Sequence, residues 1–327
     1  MPLHRLTQIV MGVPDPEATA AYYTDFGLLP TSVEARGDSP PALTSPGDHA
    51  FSTSDGGEQL RIVRSARRRL LRLGVGADNP DDLDRVAASL AALGITLERT
   101  SAGLRATDPG TGVTVQVEIA DRISQEPHPA PPYNSPGVAA RVGMRAPGIL
   151  RDTPVQPRKL GHVVLGSTDQ EASEAFFQQG VGFKVSDTVP GLAAFMRCST
   201  DHHNLAIQSA PIQFLHHTSW QVDDVDEVGR GAAAMLEKDP DRHVWGLGRH
   251  HIGSNFFWYL KDPAGNYSEY YSDMDCIVDD ALWHAEVWDA AHAMYTWGPP
   301  PPASMLAPED LAGYMVGAHS VTEGGLR

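Results

Sequence analysis

The sequence has 327 residues, with 25 lysines and arginines against 41 aspartates and glutamates and a formal net charge of −16. This length is enough for about two domains that each bury a core, and the acidic balance disfavours nucleic acid as a partner. Two cysteines are too few for a disulfide framework, and no apolar run approaches the roughly 18 residues that span a bilayer, so we expect a cytoplasmic protein with no membrane partner.

The chain begins with a strand-like segment and a helix. Residues 6–11 are mostly apolar, with a β-branched pair at the centre, and the pair Asp15 and Pro16 has the chemistry of an N-cap and a first helical turn. The helix is predicted to end near Gly27. This strand and helix are the first half of a unit that recurs along the chain.

A second strand is predicted at 71–75, and a helix around 81–93 follows it. Between the two units lies the basic run 64–69. It is short and contains no aromatic residue, so we interpret it as a solvated strand edge or a subunit salt-bridge patch.

The segment 126–157 contains eight prolines and few apolar runs, which predicts an extended connection between two halves. The predicted organisation has four parts, which are an N-terminal domain at 1–125, a linker at 126–155, a catalytic domain at 156–275 and a helical and polyproline tail at 276–327.

The second half repeats the first. A strand at 160–165 precedes a helix for which 168–171 fits a capping box, and Gly182 marks the predicted helix end. A strand at 215–219 then precedes a helix around 223–236. Each half is therefore predicted to contain two strand-helix-strands units, which must pair to bury their sheet faces.

In the tail, residues 283–297 are predicted to form an amphipathic helix that precedes the prolines at 299–302. A docking motif for another protein is one interpretation of this segment.

Three segments of the second half carry side chains that bind metals. His162 lies in one predicted strand, the pair His216 and His217 in another, and Glu269 is a carboxylate in an otherwise apolar strand. Two imidazoles and one carboxylate form the ligand set of non-haem Fe(II) oxygenases with open coordination positions. In the pair, the Leu-x-His spacing puts His217 in register with His162.

The most specific pattern surrounds the last of these residues. His250 is followed nine residues later by Tyr259, then by Asp-Pro-Ala-Gly at 262–265, and Glu269 comes ten residues after the tyrosine. This order and spacing resemble the type I extradiol ring-cleavage dioxygenases of the vicinal oxygen chelate superfamily. Trp258 departs from the aliphatic residue or Phe usual before the tyrosine. The resemblance implies an α+β fold of four βαβββ modules, two in each half-open barrel domain. It also implies that the tail packs against the catalytic domain or a neighbouring subunit.

The resemblance also implies roles for six residues of this chain. His162, His217 and Glu269 are expected to hold Fe(II), with Mn(II) as the alternative metal. His203 fits the family's acid/base, with His202 the nearest alternative. His250, rather than His251, and Tyr259 are expected to hydrogen-bond the substrate oxygens, whereas the alternative for Tyr259 is an ordinary strand aromatic.

The implied reaction is extradiol cleavage of a catechol with O₂ as co-substrate, giving a muconic semialdehyde-type product, in a homo-oligomer. One alternative is an isomerase or lyase of the same superfamily that uses the metal as a Lewis acid. Another is a binding protein that holds a small aromatic molecule without converting it. Trp245 stands where relatives acting on carboxylated catechols carry a basic group, which favours an uncharged or apolar ring substituent.

The first half offers no matching ligand set. Aligning the repeats places Gln8 at the position of His162, Leu73 at that of His217, and Gln116 at that of Glu269. We therefore expect the N-terminal domain to be a structural duplicate that has lost its metal site.

Overall fold

The computed structural model describes residues 3–32, 47–290, 293–307 and 310. The first half forms an eight-stranded mixed sheet with two helices, in the chain order β1 (Leu3–Val13), α1 (Pro16–Asp25), β2 (Leu29–Thr31), β3 (His49–Thr53), β4 (Gly57–Arg64), β5 (Arg69–Ala77), α2 (Pro80–Ala92), β6 (Leu97–Thr100), β7 (Gly103–Thr107) and β8 (Thr114–Ile119). Its strands lie side by side in the order β2-β3-β4-β1-β5-β8-β7-β6.

A connection containing one short helix, α3 (Pro147–Leu150), leads to a second sheet. The elements of the second half are β9 (Lys159–Ser167), α4 (Gln170–Ala175) with a π-helix (Phe176–Val181), β10 (Lys184–Val189), β11 (Ala193–Arg197), β12 (Leu205–Ser209), β13 (Phe214–Gln221), α5 (Val225–Lys238), β14 (His243–Arg249), β15 (Phe256–Lys261), β16 (Tyr267–Ser272), β17 (Glu286–Val287) and α6 (Ala303–Leu306). Its nine strands have the order β14-β15-β16-β13-β9-β12-β11-β10-β17. Short 3₁₀ turns lie at Pro240–Arg242 and Asp280–Leu282.

The two sheets share one plan. At the centre of each, the first strands of two modules are antiparallel neighbours, β1 with β5 and β9 with β13. Each first strand also pairs in parallel with the last strand of its own module, β4, β8, β12 or β16. This arrangement confirms the predicted fold of four βαβββ modules.

Helix starts in the two halves use the same chemistry. The Asp15 side chain caps α1 and accepts a hydrogen bond from the Ala18 N–H at 3.1 Å. Asp169 caps α4 in the same way, accepting from the Ala172 N–H at 3.0 Å. The predicted capping box at 168–171 is therefore wrong, because the residue that caps the helix is Asp169 rather than the threonine before it.

The halves also pack directly against each other. The rings of Phe26 and Tyr270 stack with centroids 3.9 Å apart and an angle of 2° between their planes, and the Tyr270 hydroxyl donates to the Phe26 carbonyl at 2.7 Å. A single hydrophobic cluster includes buried residues of both sheets. The strand that carries Glu269 is thus held in place from the first half of the chain.

The tail differs from the helix predicted for it. Within 283–290 and 293–297 the structure has no α-helix, and residues 291–292, 308–309 and 311–327 lie outside the described part of the chain. Instead, β17 pairs in parallel with β10, and the Trp288 N–H donates to the Thr188 carbonyl at 2.9 Å. The open edge of β10 thus provides backbone hydrogen-bond partners for the tail, which pairs with it as a strand instead of forming a helix. In the described residues, no helix is long and apolar enough to cross a membrane.

Candidate metal centre and active site

The three predicted ligands lie on adjacent strands of the second sheet. Ser219 of β13 is opposite His162 of β9 on one side and opposite Glu269 of β16 on the other. His217 stands two residues before Ser219, so its side chain emerges from the same face of the sheet. Strand register therefore brings together three residues that are more than a hundred positions apart at their extremes.

The ligand atoms are close enough to share one ion. His162 Nε2 lies 3.1 Å from Glu269 Oε2 and 3.3 Å from His217 Nε2, and the latter is 3.6 Å from Glu269 Oε2. All three residues are buried. Three atoms placed about 2.0–2.2 Å from one centre, the range for nitrogen and oxygen ligands of zinc, would have separations of this size.

The hydrogen bonds of Glu269 fit a bound cation. Its Oε1 accepts from Asn255 Nδ2 at 3.2 Å, whereas Oε2 is buried and accepts no hydrogen bond from any described residue. Burial alone would raise the pKa of Glu269, but its contacts with His162 and His250 lower it well below the usual value. A buried carboxylate oxygen without a donor is costly, and a divalent metal would compensate it. The donor set therefore fits the expected metal.

His216 fixes the orientation of the second ligand. Its Nε2 donates to the Met305 carbonyl at 2.8 Å, and its Nδ1 lies 2.7 Å from His217 Nδ1. Burial lowers the pKa of His216 to about 4, so the ring carries a single hydrogen at neutral pH. That hydrogen is used by Met305, and His217 must therefore donate its own Nδ1–H. The lone pair of His217 Nε2 is left facing the other ligands.

The predicted acid/base lies beside the predicted metal ligands. The ring of His203, in the loop between β11 and β12, has its centroid 4.3 Å from that of His162. Its Nδ1 lies 3.1 Å from His202 Nδ1. Burial lowers the pKa of His203 well below its usual value, so the free ring is neutral.

The predicted substrate-binding pair is connected by a hydrogen bond. His250 Nδ1 donates to the Met294 carbonyl at 2.6 Å, which leaves its Nε2 to accept from the Tyr259 hydroxyl at 2.8 Å. Burial and the neighbouring Glu269 carboxylate raise the pKa of Tyr259 well above its ordinary value. Tyr259 is therefore a hydrogen-bond donor throughout the physiological range.

One cavity of about 510 Å³ joins these groups, and its lining includes His162, His217, His203, His250 and Tyr259. The rest of the lining is largely apolar, and among the described lining residues there is no lysine, arginine, aspartate or glutamate. Trp245 forms part of the wall and stacks on Tyr259 with 5.7 Å between centroids and 9° between planes.

The tail packs over this cavity and supplies part of its lining, but the sequence did not reveal the contacts through which it does so. Backbone carbonyls carry no sequence signature, because every residue has one. Four of them in the tail accept hydrogen bonds from side chains around the site, namely Met294 from His250, Pro299 from Trp245, Ser304 from Tyr267, and Met305 from His216.

The equivalent place in the first sheet has different residues. Gln116 of β8 pairs with Gly74 of β5, just as Glu269 of β16 pairs with Ser219 of β13. Gly74 is therefore the counterpart of Ser219. The counterpart of the second ligand histidine is therefore Arg72, two residues before Gly74, and the expectation that Leu73 holds this place is wrong. Side chains alternate between the faces of a strand, and Leu73 belongs to the hydrophobic core.

A polar network fills this place. Arg72 Nη2 donates to Gln8 Oε1 at 2.9 Å, and Arg105 Nε donates to Gln116 Oε1 at 3.1 Å. Within the described residues, the second sheet holds the one group of histidine, cysteine and carboxylate side chains that could bind a metal.

Known proteins resemble this chain over most of its length. Residues 159–270 match the family model of the Glyoxalase/Bleomycin resistance protein/Dioxygenase superfamily. The chain is 34% identical over 250 residues to metapyrocatechase 2 of Cupriavidus necator, covering 74% of this chain and 76% of that protein. It is 30% identical over 154 residues to an iron-dependent extradiol dioxygenase of Rhodococcus jostii (strain RHA1), covering 42% and 50% of the two chains.

The fold also has a close match among solved structures. The Mn(II)-bound glyoxalase from Novosphingobium aromaticivorans superposes with a TM-score of 0.71 and 26% identity, over 92% of this chain and 93% of that one.

Proposed function

Because this chain belongs to the type I extradiol ring-cleavage dioxygenases of the vicinal oxygen chelate superfamily, we propose that His162, His217 and Glu269 hold the metal with which it opens a catechol ring. The observation that carries this proposal is the buried Glu269 Oε2. It lies 3.1 Å from His162 Nε2 and accepts no hydrogen bond from any described residue.

We assign Fe(II) as the metal, with Mn(II) as the alternative. The Rhodococcus relative is named as iron-dependent, and the Novosphingobium structure as Mn(II)-bound. Both ions accept two imidazoles and a carboxylate. When bound, the metal supplies positive charge and open positions at which the catechol and O₂ meet.

The remaining residues of the site handle protons and orientation. The Tyr259 hydroxyl and the His250 ring form a hydrogen-bonded pair on the cavity wall, and we propose that they bind the substrate oxygens and fix the ring relative to the metal. His203, on the side of His162, accepts a proton from the substrate during the reaction and returns it to the product.

The cavity supports an apolar substrate class. Its volume of about 510 Å³ exceeds what an unsubstituted catechol needs, and no cationic lysine or arginine is present among its described lining residues. Placing a carboxylate there would leave a buried charge without a partner. We propose a neutral catechol with an alkyl or aryl substituent that packs against Trp245. A homo-oligomeric state and a cytoplasmic location stay predictions from the sequence.

The test is oxygen consumption by the full chain, loaded anaerobically with Fe(II), on a panel of catechols. An alkyl- or aryl-substituted catechol should consume one equivalent of O₂ and give a coloured ring-opened product, whereas its monomethyl ether should not react. A carboxylated catechol should have a much lower kcat/KM. Conversion without oxygen uptake would instead support the Lewis-acid isomerase, and binding without conversion would support an aromatic-binding protein.

A further inference from the structure

Behind His203 lies a chain of buried groups that leads away from the cavity. His203 Nδ1 is 3.1 Å from His202 Nδ1, and His202 Nε2 is 3.2 Å from Asp187 Oδ2. His202 is completely buried, and the other two residues are almost so. Neither Asp187 nor His202 is among the residues that line the cavity.

The carboxylate at the end of this chain determines the direction of its hydrogen bonds. Burial would raise the pKa of the Asp187 carboxyl, but hydrogen bonds from His202, the Glu286 N–H and the Trp288 indole hold it below its usual value. An ionised carboxylate only accepts, so His202 donates its Nε2–H to it. A neutral His202 that donates through Nε2 can only accept at Nδ1, so in that arrangement His203 donates its Nδ1–H across the 3.1 Å contact.

The tail keeps Asp187 in place. The Glu286 N–H donates to Asp187 Oδ1 at 2.8 Å, and the Trp288 indole donates to Oδ2 at 3.1 Å. The ring of Trp283 stands edge-on to His202, with centroids 5.2 Å apart. Water is thus excluded from a carboxylate that would otherwise be satisfied by solvent.

We propose that Asp187 and His202 are positioning residues that keep a hydrogen on His203 Nδ1, so that Nε2 is the nitrogen that takes the substrate proton and returns it. This inference rests on the proposed acid/base role of His203. The arrangement resembles in logic the carboxylate that holds a catalytic histidine in one tautomer in serine proteases, where loss of that carboxylate greatly lowers kcat. Here a second imidazole stands between the carboxylate and the histidine.

The test uses the full chain with Asp187→Asn, His202→Leu and His202→Gln. Glutamine keeps one donor and one acceptor and should partly restore what leucine removes. Asp201→Asn is the matched control. Asp201 lies in the same loop as His202 and His203, but its carboxylate accepts from Lys159 at 2.7 Å. Nitrogen-15 NMR of the histidine rings, recorded with diamagnetic Zn(II) bound, reports which nitrogen of His203 carries the hydrogen.

We expect the wild-type protein and Asp201→Asn to carry the hydrogen on Nδ1 of His203. In Asp187→Asn and His202→Leu the hydrogen should be distributed between Nδ1 and Nε2. In the Fe(II) enzyme, kcat of these two variants should fall at least about 10-fold, and by no more than the roughly 10²–10⁴-fold expected for loss of His203 itself. KM and metal content should stay near wild type, because neither residue lines the cavity.

The failure of this inference can be distinguished from the failure of the proposed function. If His203→Phe is impaired while Asp187→Asn and His202→Leu keep the wild-type ring signals and kcat, only the positioning role is overturned. If kcat falls only together with metal content or melting temperature, the pair is structural and the inference is wrong. If His203→Phe turns over at the wild-type rate, the acid/base role fails and this inference fails with it.

Discussion

The Nδ1 atom of His216 lies 2.7 Å from the Nδ1 atom of His217, and only one of them can carry the hydrogen between them. Because His216 gives its own hydrogen to the Met305 carbonyl, the hydrogen in this contact belongs to His217. His216 and a carbonyl from the tail together determine which nitrogen of His217 is free to bind the proposed metal.

Replacing His216 with leucine should weaken metal binding. Without the acceptor at its Nδ1, His217 can rotate or exchange tautomers, and losses of this kind typically cost about 10–100-fold in metal affinity. Titration of the metal-free chain with Zn(II) or Fe(II) measures the change. His251→Gln is the control, because His251 contacts Trp288 and Thr296 instead of the ligands. Wild-type affinity in the His216 variant would contradict this role.

Glu269→Gln should abolish metal retention and activity together, because the amide has no negative charge to offset the cation. Metal analysis after desalting and oxygen-electrode traces measure the two effects. Glu237→Gln, which changes an exposed carboxylate of α5, should retain both. Wild-type oxygen uptake in Glu269→Gln would show that the carboxylate has a structural role only.

Each chain should bind one catalytic metal ion. In the first sheet, Arg72 lies 2.9 Å from Gln8 where a ligand pair would be needed, and a guanidinium repels a cation. Metal analysis of the loaded protein should therefore give about one tightly held ion per chain. Two tightly held ions would show that the first sheet also binds metal.

His203→Phe should keep its metal and its affinity for catechol, because His162 and His217 are unchanged. Turnover should fall by about 10²–10⁴-fold if His203 performs ordinary acid/base catalysis. Steady-state kinetics with metal analysis of the same sample separates the two effects. Loss of metal from this variant would identify His203 as a ligand, whereas a wild-type rate would assign the proton transfer to another group, with His202 the nearest.

Phe26→Ala should destabilise the whole chain, because the ring stacks on Tyr270 between the two sheets. Removing a buried phenylalanine typically costs about 3–5 kcal/mol. Tyr270→Phe keeps the stacking and loses only the hydroxyl bond to the Phe26 carbonyl, so about 1–3 kcal/mol is expected. Denaturant unfolding of both variants measures the difference, and equal losses would contradict a stacking contribution.

The family and its four modules could be predicted from the sequence, because their signals are local. Spacings such as that between His250, Tyr259 and Glu269 are set by three consecutive strands and their short connections, and strand and helix patterns repeat within about sixty residues. The same patterns named three side chains whose ligand atoms the structure brings within 4.8 Å of one another.

Other features depended on pairings between distant segments, and there the sequence was insufficient or misleading. The repeat alignment predicts Leu73 at the place that Arg72 occupies, because a one-residue change of register exchanges the two faces of a strand. Amphipathic spacing predicts a helix in the tail. That spacing does not reveal that the open edge of β10 pairs with Glu286–Val287 as a strand.

The sequence alone thus determined which side chains are available for chemistry, because it specifies their types and the short spacings between them. Only the tertiary structure decided how those groups are protonated and oriented. The hydrogen on His217 is assigned through His216 by the carbonyl of Met305, and His203 is connected through His202 to Asp187. Such assignments depend on backbone carbonyls and buried carboxylates that come close only when distant parts of the chain pack together.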